Sequence, residues 1–223
     1  MRKLLLLIHI PLSFIAQEID IIQLTANINT YEAEINFSQL NDSIAFFTVI
    51  NNENDWNESS IYSCRFVNNE WKNKQYSKYN SEILNTANIS FSKSDKVVFS
   101  ICNKKMNDCK IRLLDEKKSK EFKEIPLGYN GEAVYTQPHI SQHNSQEVLY
   151  FVSDREGGFG GLDIWLSIID KEGNFGVPIN AGSKINSSSD EITPFFNNKN
   201  ENMYFSSNRK NGLGGFDIYK CKG

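Results

Sequence analysis

The sequence predicts an all-β fold, a β-propeller of about four four-stranded blades with an amino-terminal strand to close the ring. Three observations predict it: an internal repeat of 52 to 54 residues, glycine-rich turns inside the period, and a composition that favours strands. The repeat is plainest where Tyr150 to Trp165 (YFVSDREGGFGGLDIW) lies over Tyr204 to Tyr219 (YFSSNRKNGLGGFDIY) without a gap. Taking Phe47, Phe99, Phe151 and Phe205 as one position gives steps of 52, 52 and 54, and an Ile follows 14, 12, 13 and 13 residues later (Ile61, Ile111, Ile164, Ile218). Trp71, Phe122 and Phe175 mark a third position, 9 or 10 residues after Tyr62, Arg112 and Trp165. The 3.6-residue patterning of helical repeats is missing.

The elements follow in chain order. Residues 1–16 (MRKLLLLIHIPLSFIA) carry two cations, an apolar run too short to span a bilayer and a small residue at the end, which is the pattern of a signal peptide. Residues 17–223 form the propeller, in units of about 30–76, 77–128, 129–182 and 183–223. In the last unit the expected strands are 191–196, 203–206 and 217–221, one fewer than the strand type at 176–181 in the unit before would complete. The missing strand is sought at 18–25, because Ile28-Asn29 falls on Ile185-Asn186 and Glu34-Ile35 on Glu191-Ile192. Such a strand would pair with 217–221 and remove an exposed edge.

Composition limits the function classes. Aromatics make up 12%, with 15 Phe and 9 Tyr, and a formal net charge of −3 leaves no global positive field for nucleic acid or anionic lipid. No second apolar stretch long enough for a membrane span occurs. The 27 Asn are scattered and read as turn chemistry.

The segments INSSSDEITPFFNNKNENMYFSSNRKNGLGGFDIYKC and YFVSDREGGFGGLDIWLS resemble the WD40-like propeller repeat of the TolB type, in the form found in Bacteroidetes envelope proteins of the OmpA family. The resemblance is close in the last two units and degenerate over 30–125. It implies a periplasmic or cell-surface propeller, associated with the outer membrane, that binds an envelope protein or a cell-wall component and is not an enzyme. The rival expectation is a carbohydrate-active propeller, a lyase or hydrolase acting on a polysaccharide.

Candidate sites are weighed against structural roles. The repeated set Ser153, Asp154, Arg155, Gly158, Gly160, Gly161 and Asp163, with Ser207, Asn208, Arg209, Gly212, Gly214, Gly215 and Asp217, precedes a strand rather than a helix. The glycines therefore read as hairpin-loop residues and not as a phosphate cradle. Asp163 and Asp217, with Asp154 and Asn208, lack the alternation of a calcium loop and read as turn acceptors. His139 and His143 are four apart in PHISQHNS, but Pro138 makes the segment a strand, so no metal site is expected there. Glu191, like Glu34, reads as a capping carboxylate. No catalytic residue, cofactor or metal is assigned.

Export permits disulfides. If Ser100 faces Ile111, then Cys102 faces Cys109 across a hairpin, and that pair is expected to be bridged. Cys64 and Cys221 form a weaker candidate pair. In the variable loop 51–60, Trp56 is the expected contact anchor for a partner.

Overall fold

The computed structural model describes residues 24–26, 28–51, 58–115, 117–119, 121–128 and 133–222. The expected signal peptide, most of the expected closing strand and Trp56 lie outside the described residues. The fold is a four-blade β-propeller. Blade 1 holds β1 (Ala33–Asn41), β2 (Ile44–Asn51), β3 (Glu58–Val67) and β4 (Glu70–Tyr76). Blade 2 holds β5 (Asn85–Phe91), β6 (Lys96–Cys102), β7 (Cys109–Asp115) and β8 (Lys123–Glu124). Blade 3 holds β9 (Tyr135–His143), β10 (Gln146–Ser153), β11 (Asp163–Ile169) and β12 (Ile179–Asn180), and blade 4 holds β13 (Glu191–Asn197), β14 (Asn202–Ser207) and β15 (Asp217–Lys222). Every sheet is an antiparallel meander, and the first strand of each blade lines the hub, with β5 against β9 and β9 against β13.

β12 is shorter than the expected strand at 176–181. Pro178 offers no N–H to the ladder, and a Cβ on Gly176 would stand 3.2 Å from the Ile168 carbonyl.

The core is a set of layers between blades. Phe46, Ile61, Ile89 and Phe99 fill the seam between blades 1 and 2, Val98, Ile111, Ile140 and Phe151 that between 2 and 3, and Val152, Ile164, Phe196 and Phe205 that between 3 and 4. Burying each such side chain contributes about 1.5–3 kcal/mol, so the seams hold the repeat together. The marker residues that set the repeat, Phe47, Phe99, Phe151 and Phe205, are all buried.

Each hub strand carries one residue in the left-handed region, at Asn36, Asn88, Gln137 and Thr193, and each has a register shift there. The kink turns a main-chain N–H toward the preceding blade. Asn88 N donates to Thr48 Oγ1 (3.0 Å) and Gln137 N to Ser100 Oγ (2.9 Å), the hydroxyls that follow Phe47 and Phe99. In blade 3 the corresponding residue is Val152, and Thr193 N donates instead to Gln137 Oε1 (2.6 Å). Six of the non-glycine residues with positive φ are Asn, five of them in blades 1 and 3 and at the turn Asn68-Asn69. The asparagine-rich composition thus serves positions where a Cβ-bearing residue meets least strain in this conformation.

Ser100 stands opposite Ile111 and Cys102 opposite Cys109, and the two cysteines are joined in a disulfide. Cys64 and Cys221 are free thiols; Cys64 is buried, which pushes its pKa up to about 11.

Candidate functional site

The two ends of the strands carry different chemistry. At the end where β9 begins and β10 finishes, the repeated motif builds architecture. Arg155 donates to the Leu127 carbonyl (3.0 Å) and lies over the Trp165 ring, 5.0 Å from its centroid. Arg209 repeats the stacking over Tyr219 at 4.6 Å and adds an ion pair to the fully buried Glu191 at 3.1 Å. Glu191 also accepts from Ser187 N, Ser187 Oγ and Ser207 Oγ, each at 2.6 Å. Ser153 Oγ and Ser207 Oγ each accept the N–H two residues on, from Arg155 and Arg209.

The aspartates are equally committed. Asp163 accepts from Phe159 N and Asn180 Nδ2, and Asp217 from Leu213 N and Gly214 N. A Cβ on Gly158 or Gly212 would collide with the carboxylate of Asp163 or Asp217, which explains the glycine in both loops. Asp154 accepts Val134 N (2.8 Å), and Asn208 accepts Asp190 N (2.9 Å). Gly160 and Gly161 press against Ser187 to Asp190 of the next blade, whereas Gly214 and Gly215 face open space. Among the described residues no group of three or more His, Cys, Asp or Glu side chains is placed to hold a metal ion.

The opposite end holds a cavity of about 340 Å³ where β5, β9 and β13 finish, bounded by residues of blades 2, 3 and 4. Its rings are Phe91, His139, Phe195 and Phe196, its amides Gln142, Asn197 and Asn198, and its carboxylate Glu147. Strand alternation places them. His139 pairs with Tyr150 across the ladder and its ring lies 4.9 Å from Phe195 and 6.4 Å from Tyr150. Burial pushes its pKa down to about 4, partly opposed by the Phe196 carbonyl, so the ring is neutral at pH 7. A carbonyl only accepts, so Nε2, 3.2 Å from Phe196 O, carries the proton and Nδ1 is left as an acceptor.

Glu147 binds Lys96 Nζ and Ser94 Oγ, both at 2.5 Å, across the seam between blades 2 and 3. Burial alone would raise its pKa, but Lys96 and the serine hydroxyls together hold it below the usual carboxylate value. It is therefore ionised at neutral pH, where it can face a developing positive charge and is not a proton donor. Lys93 and Lys199 also line the cavity, and neither has an ion-pair partner among the described residues. None of these cavity residues belongs to the repeated motif. The signal that could have found them is their variation: at the position of Glu147 the other blades carry Ser43, Asp95 and Glu201, and only Glu147 is offered a buried lysine by its neighbour.

No protein-family model and no curated protein matches the chain. Solved structures do. A family 117 glycoside hydrolase of Zobellia galactanivorans superposes with a TM-score of 0.53 at 14% identity, covering 86% of this chain and 67% of that one. An endo-arabinase of Bacteroides thetaiotaomicron gives 0.51 at 11%, covering 81% and 71%, and a GH43 endo-arabinanase of Bacillus licheniformis gives 0.50 at 14%, covering 83% and 71%. The fold is one that glycoside hydrolases use. This corrects the TolB-type, OmpA-associated resemblance, and with it the non-enzymatic, protein-binding scaffold that rested on it. The physical reason lies in the motif itself. Its Ser, Arg, Gly and Asp residues build hairpin loops and blade seams, so they report a propeller blade and carry no information about a partner.

Proposed function

We propose that this chain is a carbohydrate-active propeller that acts on a polysaccharide held in the hub cavity. The observation that carries the reading is the convergence of Glu147 and neutral His139 of blade 3 with Phe195 of blade 4, with flanking amides, on one cavity. A ring such as Phe195 packs against the C–H face of a sugar, amides and His139 Nδ1 take its hydroxyls, and Glu147 faces the bond to be broken as a stabilising carboxylate while water supplies the proton the leaving oxygen takes. The names of the structurally similar proteins support the same substrate class. Lys93 and Lys199, without an ion-pair partner among the described residues, favour a chain with acidic sugars. Export, expected from residues 1–16, and the disulfide Cys102–Cys109 suit work outside the cytoplasm.

The test incubates residues 17–223 with arabinan and with polygalacturonate and follows both reducing ends and unsaturated products. New reducing ends without a double bond identify a hydrolase, and unsaturated ends a lyase. Glu147→Gln should abolish turnover while the folded circular-dichroism spectrum is kept, and Phe195→Ala should raise KM. Absence of both product and binding for every polysaccharide tried would sink the reading.

A further inference from the structure

The seam between blades 2 and 3 carries a second cavity, of about 330 Å³, at the end where β7 and β11 finish. It lies outward of the hub cavity on the same face, and sheet register joins the two. Across blade 3, Gln142 pairs with Glu147, Glu147 with Ile169 and Ile169 with Phe175, so one rung leads from the hub cavity to the lining of the outer one. Across blade 2, Ser92 N donates to the Lys96 carbonyl, Lys96 stands opposite Asp115, and Asp115 lines the outer cavity. The two rungs face each other across the seam and meet at the Lys96–Glu147 ion pair. Neighbouring strands lie about 4.8 Å apart, so the main chain of Phe175 stands two spacings, about 10 Å, outward of Glu147.

The outer cavity has the parts of a sugar site. Ile125 is buried beneath it, while Leu113 and Phe175 are half-buried and offer apolar surface to a C–H face. The exposed side chains of Glu121 and Lys123 have no partner among the described residues, which leaves an acceptor and a donor for hydroxyls. Lys118 of blade 2 donates to the Glu172 carbonyl of blade 3 (2.5 Å) and holds the two walls together; a Cβ on Gly173 would stand 2.9 Å from its Nζ. Charge separates the two cavities. The hub cavity offers Lys93 and Lys199, and its carboxylate, Glu147, is already matched by Lys96. The outer cavity sets Asp115, Glu121, Glu124 and Glu172 against Lys118 and Lys123. A uronate is favoured in the first and repelled in the second, where an uncharged sugar meets no such opposition.

We infer that the outer cavity is a distal subsite for an uncharged sugar unit of the same polysaccharide, whose chain runs outward along the seam between blades 2 and 3 past the Lys96–Glu147 bridge. This rests on the carbohydrate-active reading and adds two things to it. The substrate extends beyond the hub, and it carries neutral as well as acidic units.

The test measures KM and kcat for arabinan and for polygalacturonate, with the matching disaccharide, which occupies the hub cavity alone, as competitive inhibitor. Glu121→Lys combined with Glu172→Lys changes only exposed side chains of the outer cavity. It should raise KM for arabinan and lower KM for polygalacturonate, each about threefold, with kcat and the inhibition constant of the disaccharide unchanged. Phe175→Ala, checked for its fold by circular dichroism, should raise KM about fivefold on whichever polymer is degraded, again without moving the disaccharide. Unchanged KM in both variants, on a polymer that the unmodified chain degrades, overturns the outer subsite and leaves the hub reading standing. A disaccharide constant that shifts as much as KM shows a disturbed hub and also overturns it. An unmodified chain that neither binds nor degrades any polysaccharide removes both.

Discussion

The seam between blades 3 and 4 and the outward face of blade 4 are built from the same residues, yet one is sealed and the other is bare. At the seam, Asp163 is buried, Ile164 is covered by Asn186, and Gly160 admits the backbone of Ser187 and Ser189. At the bare face the repeats are Asp217, Ile218 and Gly214, each with solvent or open space where the seam has a neighbour. The difference teaches that a blade's repeat motif encodes an interface and not only a sheet. Half of what the conserved-looking pattern specifies is realised in the adjacent blade.

Several substitutions sharpen that comparison or break it. The largest effect is expected at Glu191, whose carboxylate is fully buried against Arg209 and three serine donors. Glu191→Ala leaves those groups without their acceptor and should cost about 3–5 kcal/mol in urea unfolding. Glu34→Ala, where the side chain is 14% exposed and its cation Lys74 stands at 3.9 Å, should cost about 1 kcal/mol. Equal losses at the two sites would show that burial is not what separates them.

Removing the Cys102–Cys109 bridge by double substitution to Ser comes next. A short loop of this kind contributes about 2 kcal/mol in the chain-entropy picture, visible as a lower Tm and absent from reduced protein compared with its own variant. Gly160→Ala forces a Cβ onto the Ser187 and Ser189 carbonyls and should cost about 1–3 kcal/mol. Gly214→Ala, which meets open space, should leave a thermal melt unchanged, and a loss as large as that of Gly160→Ala would show that the two faces are alike in solution.

The smallest effect is one of pH. His139 has its pKa lowered to about 4, below the ordinary value of 6.5, so the unfolded chain binds more protons between those values. Its contribution to stability is whole above pH 6.5 and falls as the pH drops toward 4. Glu147 acts in the same direction lower down: with its pKa held below the usual 4.5, its stabilisation fades as the pH falls from there. His139→Phe should flatten the Tm profile between pH 6.5 and 4 and leave the acid limb below it.

The propeller could be read from spacing because Phe47, Phe99, Phe151 and Phe205 must each meet the same packing layer, and a layer repeats where its blade repeats. The register of the disulfide hairpin was legible for a similar reason, since antiparallel pairing makes residue numbers sum to a constant. The cavity was not legible. His139, Glu147 and Phe195 lie 8 to 56 residues apart on two blades, and nothing local to any of them marks the convergence. The motif that looked most informative, with its recurrent Arg, Gly and Asp, is consumed by seams. What it suggested about a partner failed because its arginines, aspartates and serines build the hairpin loops and seams that any blade of this kind needs.

Gln137 draws those seams into one place. Its main-chain N–H is held by Ser100 of blade 2 while its side-chain oxygen holds Thr193 of blade 4. Two adjoining joints therefore share a single amino acid, and neither can loosen without disturbing the geometry that the other requires. The molecule behaves at that point less like a stack of independent leaves than like a hinge pinned at both plates, so that one residue of blade 3 ties blade 2 to blade 4.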